Sequence, residues 1–447
     1  MKPELSTQEH INKLREFRQA IYDHGLTQAR DAQCELIDAL LLDPKVASFA
    51  ELSLSPVFRR RWPSVYAAMR EGQQDTDWLR QYLVGHIADA PAQVFALDTT
   101  TWPHPSARTL TEMLYERQPS RSVPGHEVVQ GHVYSLLGWT AQPGTSWALP
   151  IDSRRVTAAR DAVRVGLEQI AALRQAWQAA GHTGLMVIAT DGRYSTHRML
   201  QGLRDQSHVA KVGRMRKDRV LCREPGAYGG AGRPRKHGAR FAFKDPETWG
   251  PPDAEVTFDD PRWGQVRLRQ WDKLHDRRVA DVPFSVILCA THLEREHPPE
   301  PIWLEYIGPK QESPEVVWRW FQQRWPIEPS IRFRKHRLHW TLPMFQHTPA
   351  CDRWTWLVTI AQWLLYLARE LVSDQRLPWQ PPLTNLTPGR VLRGLPTLFA
   401  AIGTPARSPQ PRGKSPGWPT GRPRTPPQRH QALKRSPARQ RKRPRVA

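Results

Sequence analysis

The chain has 447 residues, room for two or three domains and a substantial core. Its net charge of +22 points to a polyanionic partner, although 13 of the Lys and Arg lie between Thr404 and Ala447 and the body carries only +9. Cys34, Cys222, Cys289 and Cys351 are scattered without a Cys-x-x-Cys pair, which argues against a disulfide framework or a zinc ribbon and fits a reducing cytosol. The N-terminus lacks the charged-then-apolar pattern of a signal peptide, and Trp354–Ala368, the longest apolar stretch, is too short to span a bilayer and reads as a buried core helix.

In chain order, residues 1–88 read as helical. Thr7 is placed to cap a helix running through Phe17 and Ile21, Ala32–Leu42 has a second apolar periodicity, and Pro63–Glu71 forms a third segment after the cluster Arg59-Arg-Arg61. Residues 89–212 alternate as a mixed α/β sheet. Strands are expected at 93–98, 131–139 and 146–151, a helix over 157–180, a strand at 185–190, a helix near 195–204 and a strand at 207–212. Residues 213–312 begin basic and Gly-rich and then turn β-like. Val266–Trp271 alternates and Phe284–Ala290 is a continuous apolar run. A structureless loop of that length would be implausible, so a β-rich subdomain is expected. Residues 313–403 return to helix, beginning at Ser313-Pro-Glu315 and including 351–373 and 388–400. The Pro/Arg-rich tail, 404–447, cannot bury enough apolar surface to fold alone and is expected to be disordered.

Three acids stand out. Asp98 closes the apolar run Val94–Leu97, and Asp191 closes Leu185–Thr190, both where a buried strand is expected to give way to a loop. Ligands of parallel strands joined by helices gather at those carboxyl ends. The third acid is Glu328, in Phe321-Gln-Gln-Arg324-Trp-Pro-Ile-Glu328. On a helical wheel Phe321, Arg324, Glu328 and Lys335 fall within about 60° of one another, although Pro326 and Pro329 predict a break between Arg324 and Glu328. Three such acids can hold two divalent cations, one activating an attacking oxygen and one stabilising the leaving oxygen of a phosphodiester. A solvated helix face with an Arg324–Glu328 ion pair is the plainer alternative for the last motif.

With these residues in place the sequence resembles the DDE transposases of bacterial insertion sequences, over roughly residues 90–400. It resembles in particular the branch with a Tyr-x2-Arg-x3-Glu-x6-Lys signature, met here by Phe321, Arg324, Glu328 and Lys335 with Phe in place of Tyr. The resemblance implies an RNase H-like fold with a β-rich insertion before the helix that carries Glu328, and a small DNA-end-binding domain at residues 1–88, for which a helical cap packed on the core is the equal alternative. It implies a metal site at Asp98, Asp191 and Glu328 holding two Mg²⁺ ions, for which Mn²⁺ can substitute. Arg324 and Lys335 would contact the element's end. The implied activity is cleavage of transposon ends and strand transfer into target DNA, by a homodimer on paired inverted repeats in the bacterial cytoplasm, nucleoid-associated. An inactive DNA-binding derivative or repressor and an RNase H-like nuclease are the competing functions.

Several further motifs allow more than one reading. Asp152 is the second choice for the first acid. Gly232-Arg-Pro-Arg235 with Lys236, and Gly421-Arg-Pro-Arg424, have the form of minor-groove arms; a solvated loop and non-specific phosphate contact are the respective alternatives. His126 and His132 lack a further metal ligand at a convincing spacing and read as structural or DNA-facing. Gly413-Lys-Ser415 lacks the earlier Gly and the preceding strand of a phosphate loop, so no nucleotide cofactor is indicated. Trp263 and Trp271 are core residues or, alternatively, rings on which an extruded base stacks.

Overall fold

The computed structural model describes residues 6–410, apart from 44, 118–127, 205, 229 and 231, together with 421, 423, 426 and 428–432. His126, Gly413-Lys-Ser415, Arg422 and Arg424, and most of the expected disordered tail lie outside the described residues. The N-terminal part comprises α1 (Thr7–Ala20), α2 (Arg30–Leu42), α3 (Pro63–Glu71) and α4 (Thr76–Gly85), with a small ribbon of β1 (Leu26–Gln28) and β2 (Gln73–Gln74). Next come β3 (Ala92–Pro103), β4 (Leu114–Arg117), β5 (Val128–Thr140), β6 (Ala148–Val156), α5 (Ala162–Ala179), β7 (Leu185–Thr190), α6 (His197–Gly202) and β8 (Val209–Met215). Then follow β9 (Val220–Cys222), β10 (Arg240–Ala242), β11 (Ala254–Asp260), β12 (Gly264–Asp276), β13 (Val279–Ala290) and β14 (Ile302–Ile307). The last helices are α7 (Pro314–Gln322), α8 (Ile327–His336), α9 (Thr348–Ala368) and α10 (Pro388–Ile402).

The central strands run in the order β6-β5-β3-β7-β8. β3, β7 and β8 are parallel, and β5 is antiparallel to both β3 and β6. This mixed α/β order is consistent with an RNase H-like core. The later strands do not form a sheet of their own. β14 pairs with β8, and β13, β12 and β9 follow it, so the segment after residue 213 continues the core sheet outward. A buried ion pair sits at that junction, Lys211 on β8 bonding Glu305 on β14. Isolated in the interior each charge would be costly, so the pair fixes the register of β14 on β8.

α9 passes through the main core with both faces buried, as its unbroken apolar run requires. α1, α2 and α3 pack against it, so the N-terminal helices share one core with the C-terminal helices. Ser6 rather than Thr7 caps α1, because Ser6 and Glu9 form the reciprocal capping box that Thr7 lacks. The Arg59-Arg-Arg61 cluster is engaged internally. Arg59 and Arg60 both bind the buried Glu35, and Arg59 also donates to the Ala406 carbonyl at 2.7 Å. Ala406 is itself buried and the Arg407 amide donates to Asp31, so the first residues of the tail are ordered against α2.

Candidate active site

The last parallel pair between β3 and β7 is Leu97 with Thr190. The next residues are Asp98 and Asp191, which therefore leave neighbouring strands at one level, about 5 Å apart across the sheet, on the same face. β7 ends there, as expected. β3 does not: it continues to Pro103, paired with β5 through Asp98–Leu136 and beyond. Asp98 thus lies inside a strand that outlasts its parallel neighbour, and the β-favouring run Thr99-Thr-Thr-Trp102 explains the extension.

Glu328 arrives from above, in the first turn of α8. The break before it forms where the prolines predict. Pro326 has no amide to continue the helix, and the chain crosses Gln323–Pro326 in turns closed by Ile327 N to Arg324 O and Glu328 N to Trp325 O, both 3.1 Å. α8 is held on the sheet by Ile327, packed on Ala96 and Ala148, and by Ser330, whose hydroxyl donates to the Ala148 carbonyl at 2.8 Å. Gly138 makes room for it, since a Cβ there would stand 3.1 Å from Ile327 Cδ1.

Asp98, Asp191, Glu328 and Lys335 line one cleft of about 430 Å³. Arg324 bridges two of the acids, with Nη1 3.2 Å from Asp98 Oδ2 and Nη2 2.6 Å from Glu328 Oε1. The plainer alternative, an ion pair between Arg324 and Glu328, is therefore present beside the carboxylate cluster. Burial, and then the charge of Asp191, push the Asp98 carboxyl up to about 6, with Arg324 pulling the other way. Lys335 donates to the Thr101 carbonyl at 2.9 Å, and burial lowers its pKa to about 8. The proline break separates Phe321 from this group. It lines an adjoining cleft of about 490 Å³ with Trp263, Trp318 and Trp325, which meets the first at Asp191.

The same geometry answers the other candidates. Asp152 is buried on β6 and paired with Arg80 at 3.0 Å and Arg154 at 2.8 Å, so it does not reach the cleft. Trp271 is buried in the β-rich part, whereas Trp263 stands at the second cleft with Arg262 over its ring. Arg233, Arg235 and Lys236 are exposed on the loop between β9 and β10, away from the residues lining the carboxylate cleft. His132 is buried, bonded through Nε2 to the Thr111 carbonyl at 2.9 Å.

Sequence reasoning missed several residues of the cleft wall, two of them a charged pair. Glu116, on β4, and Arg193, two residues past Asp191, form an ion pair at 2.8 Å there. No pattern marked Glu116, because β4 is a four-residue edge strand. Asp98, Asp191 and Glu328 supply oxygen alone, the donor set of hard divalent cations rather than of zinc or copper. Burial and the neighbouring Asp191 carboxylate both raise Asp98, and a bound cation would offset both.

The family model for the DDE superfamily endonuclease matches residues 22–276, more than half of the chain, and includes Asp98 and Asp191 but ends before Glu328. No curated protein matches the chain. Among the described residues, no helix is long and apolar enough to cross a membrane.

Proposed function

Because the chain belongs to the DDE superfamily endonucleases, we propose that it is the cut-and-paste transposase of a bacterial insertion sequence, acting as a homodimer on paired terminal inverted repeats. The observation that carries this reading is the convergence of Asp98, Asp191 and Glu328 on one cleft beside Arg324 and Lys335. The three acids would hold two Mg²⁺ ions, or Mn²⁺ in their place, which activate the attacking oxygen and stabilise the leaving one. The protein's own work is positioning and charge neutralisation. Arg324, freed from Asp98 and Glu328 when cations enter, turns to the phosphates of the DNA end, where its fork binds two oxygens at once. Lys335 supplies a point charge deeper in the cleft. Phe321 and Trp263 offer aromatic faces in the adjoining cleft to bases beside the cleaved bond. Water attacks the phosphodiester at each end and releases a 3′-hydroxyl; that hydroxyl then attacks a target phosphodiester at the same site, forming the new bond as the target strand's 3′-oxygen leaves.

In this reading residues 1–88 cap the core, 89–212 and 313–403 form the catalytic unit, 213–312 the β-rich insertion, and 404–447 a basic tail adding phosphate contacts. The Arg233–Lys236 loop contacts DNA outside the cleft.

The test is excision in cells of a marker flanked by the element's own ends, with wild type beside Asp191→Ala and Glu328→Gln. Excision by wild type alone supports the assignment. Excision by either variant rejects the metal site. If no chain excises but all bind the ends in a gel shift, the protein is a binding derivative; nicking without joining marks a nuclease.

A further inference from the structure

A second set of metal-ligating side chains lies on the outer part of the sheet. Cys222 ends β9, and His275 on β12 stands directly opposite it across the β9–β12 pairing. His237 lies fifteen residues past Cys222, three before β10. One ligand atom from each falls within 4.8 Å of the other two. His237 Nδ1 and His275 Nε2 are 3.0 Å apart, close to the roughly 3.3 Å between two nitrogens each 2.0–2.1 Å from one tetrahedral ion. His275 is buried, and its other nitrogen, Nδ1, has no hydrogen-bond partner, so the ring gains no compensation elsewhere for leaving water.

We propose that Cys222, His237 and His275 bind one transition-metal ion, with zinc matching the mixed thiolate and imidazole donors. A water completes four ligands. The position gives the ion a purpose. The chain leaves the sheet after Cys222 and returns through His237, and the neck of this excursion is closed by Arg223 N to Ala239 O at 2.9 Å and Gly238 N to Arg223 O at 2.8 Å. Cys222 stands on the outgoing limb, His237 on the returning limb, and His275 on the neighbouring strand. A single ion therefore clamps both limbs to the sheet and holds the base of the segment that presents Arg233, Arg235 and Lys236. This inference stands whether or not the carboxylate cleft performs transposition.

A separate cluster, His104, His132 and Cys351, is closed inside the core beside Trp102 and Trp340 and provides the control. The experiment measures zinc by plasma mass spectrometry in the full chain purified from zinc-supplemented cells and dialysed against zinc-free buffer. About one zinc per chain is expected in wild type and His132→Ala, and at least a tenfold loss in Cys222→Ser/His237→Ala. A chain without zinc, or zinc lost only from His132→Ala, overturns the proposal. The second measurement needs no variant to fold. Cobalt titrated into the chelator-stripped wild type should give a thiolate-to-cobalt charge-transfer band saturating at one equivalent. The carboxylate cleft cannot produce that band, and its absence overturns the proposal too. Tryptic cleavage after Arg235 and Lys236 should become several-fold faster in the stripped chain and return to its starting rate when zinc is added back; an unchanged rate rejects the clamp.

Discussion

Arg324 is held by Asp98 and Glu328 together, one guanidinium nitrogen on each carboxylate, at 3.2 and 2.6 Å. It thus joins a strand residue to a helix residue 230 positions later in the chain and occupies the charge deficit between them. A planar fork performs this task and an ammonium does not. Arg324→Ala should lower single-turnover cleavage by about 10²–10³-fold, the scale of losing one preorganised donor to a reacting phosphate. Arg324→Lys should recover only a small part of that loss. Undiminished cleavage by Arg324→Ala would confine its role to the apo protein.

The raised pKa of Asp98 makes stability depend on pH. The unfolded chain releases this proton near pH 4 and the folded chain near pH 6, so between them the folded state binds more protons and loses stability as pH rises. Asp98→Asn removes the effect. In chelator at pH 7.5 the variant should be more stable than wild type by about 1–3 kcal/mol, from about 1.4 kcal/mol for each pKa unit. The difference should shrink as pH falls through 6 toward 4. Millimolar Mg²⁺ should narrow or reverse it at pH 7.5, since only the wild type keeps the full carboxylate set. Urea unfolding at several pH values measures this, and a difference independent of pH would contradict the assigned burial.

Lys211 and Glu305 form the charged joint between the core sheet and the strands that follow. Burial lowers the Lys211 pKa to about 7, which reflects how poorly the site tolerates an unpaired charge. Glu305→Gln should destabilise the chain by about 3–5 kcal/mol, and Lys211→Met with Glu305→Leu should recover most of it, because the cost lies in leaving one charge alone. Gly213→Ala should disturb the same joint, since its Cβ would come within 2.8 Å of Lys211 Nζ and 2.6 Å of Thr190 Oγ1. Thermal melting of the three variants beside wild type tests the ordering.

Much of the central sheet was legible in the sequence because β7 is a buried parallel strand, and such strands read as continuous apolar runs. The two prolines likewise marked the turn before Glu328. What escaped was set by pairing across long sequence distance. The extent of β3 depends on β5 as its partner, so Asp98 was expected at a strand end and lies inside one. β14 joins β8 through residues about ninety positions apart, so no local pattern shows that the strands of the β-rich segment extend the core sheet. Cys222, His237 and His275 come from three separate stretches, so no spacing rule brings them together. The helical wheel placed Phe321 beside Glu328, but a proline break changes the direction of the chain and sends the ring to the adjoining cleft.

Trp263 and Trp271 separate a surface role from a core role within one strand hairpin. Trp271 is buried among Phe241, Trp249 and Trp303, and removing it should cost about 3–5 kcal/mol, as large aromatic-to-alanine changes in cores do. Trp263 lies at the rim of the aromatic cleft next to Asp191, with Arg262 5.2 Å from its ring. Trp263→Ala should change melting little but weaken binding to a transposon end with unpaired terminal bases by about 1–3 kcal/mol, the range for losing one base-stacking ring. Trp263→Phe should restore most of that binding, because a face is needed rather than the indole N–H. Melting curves beside gel shifts on paired and unpaired ends distinguish the two tryptophans, and equal loss of stability in both alanine variants would place Trp263 in the core.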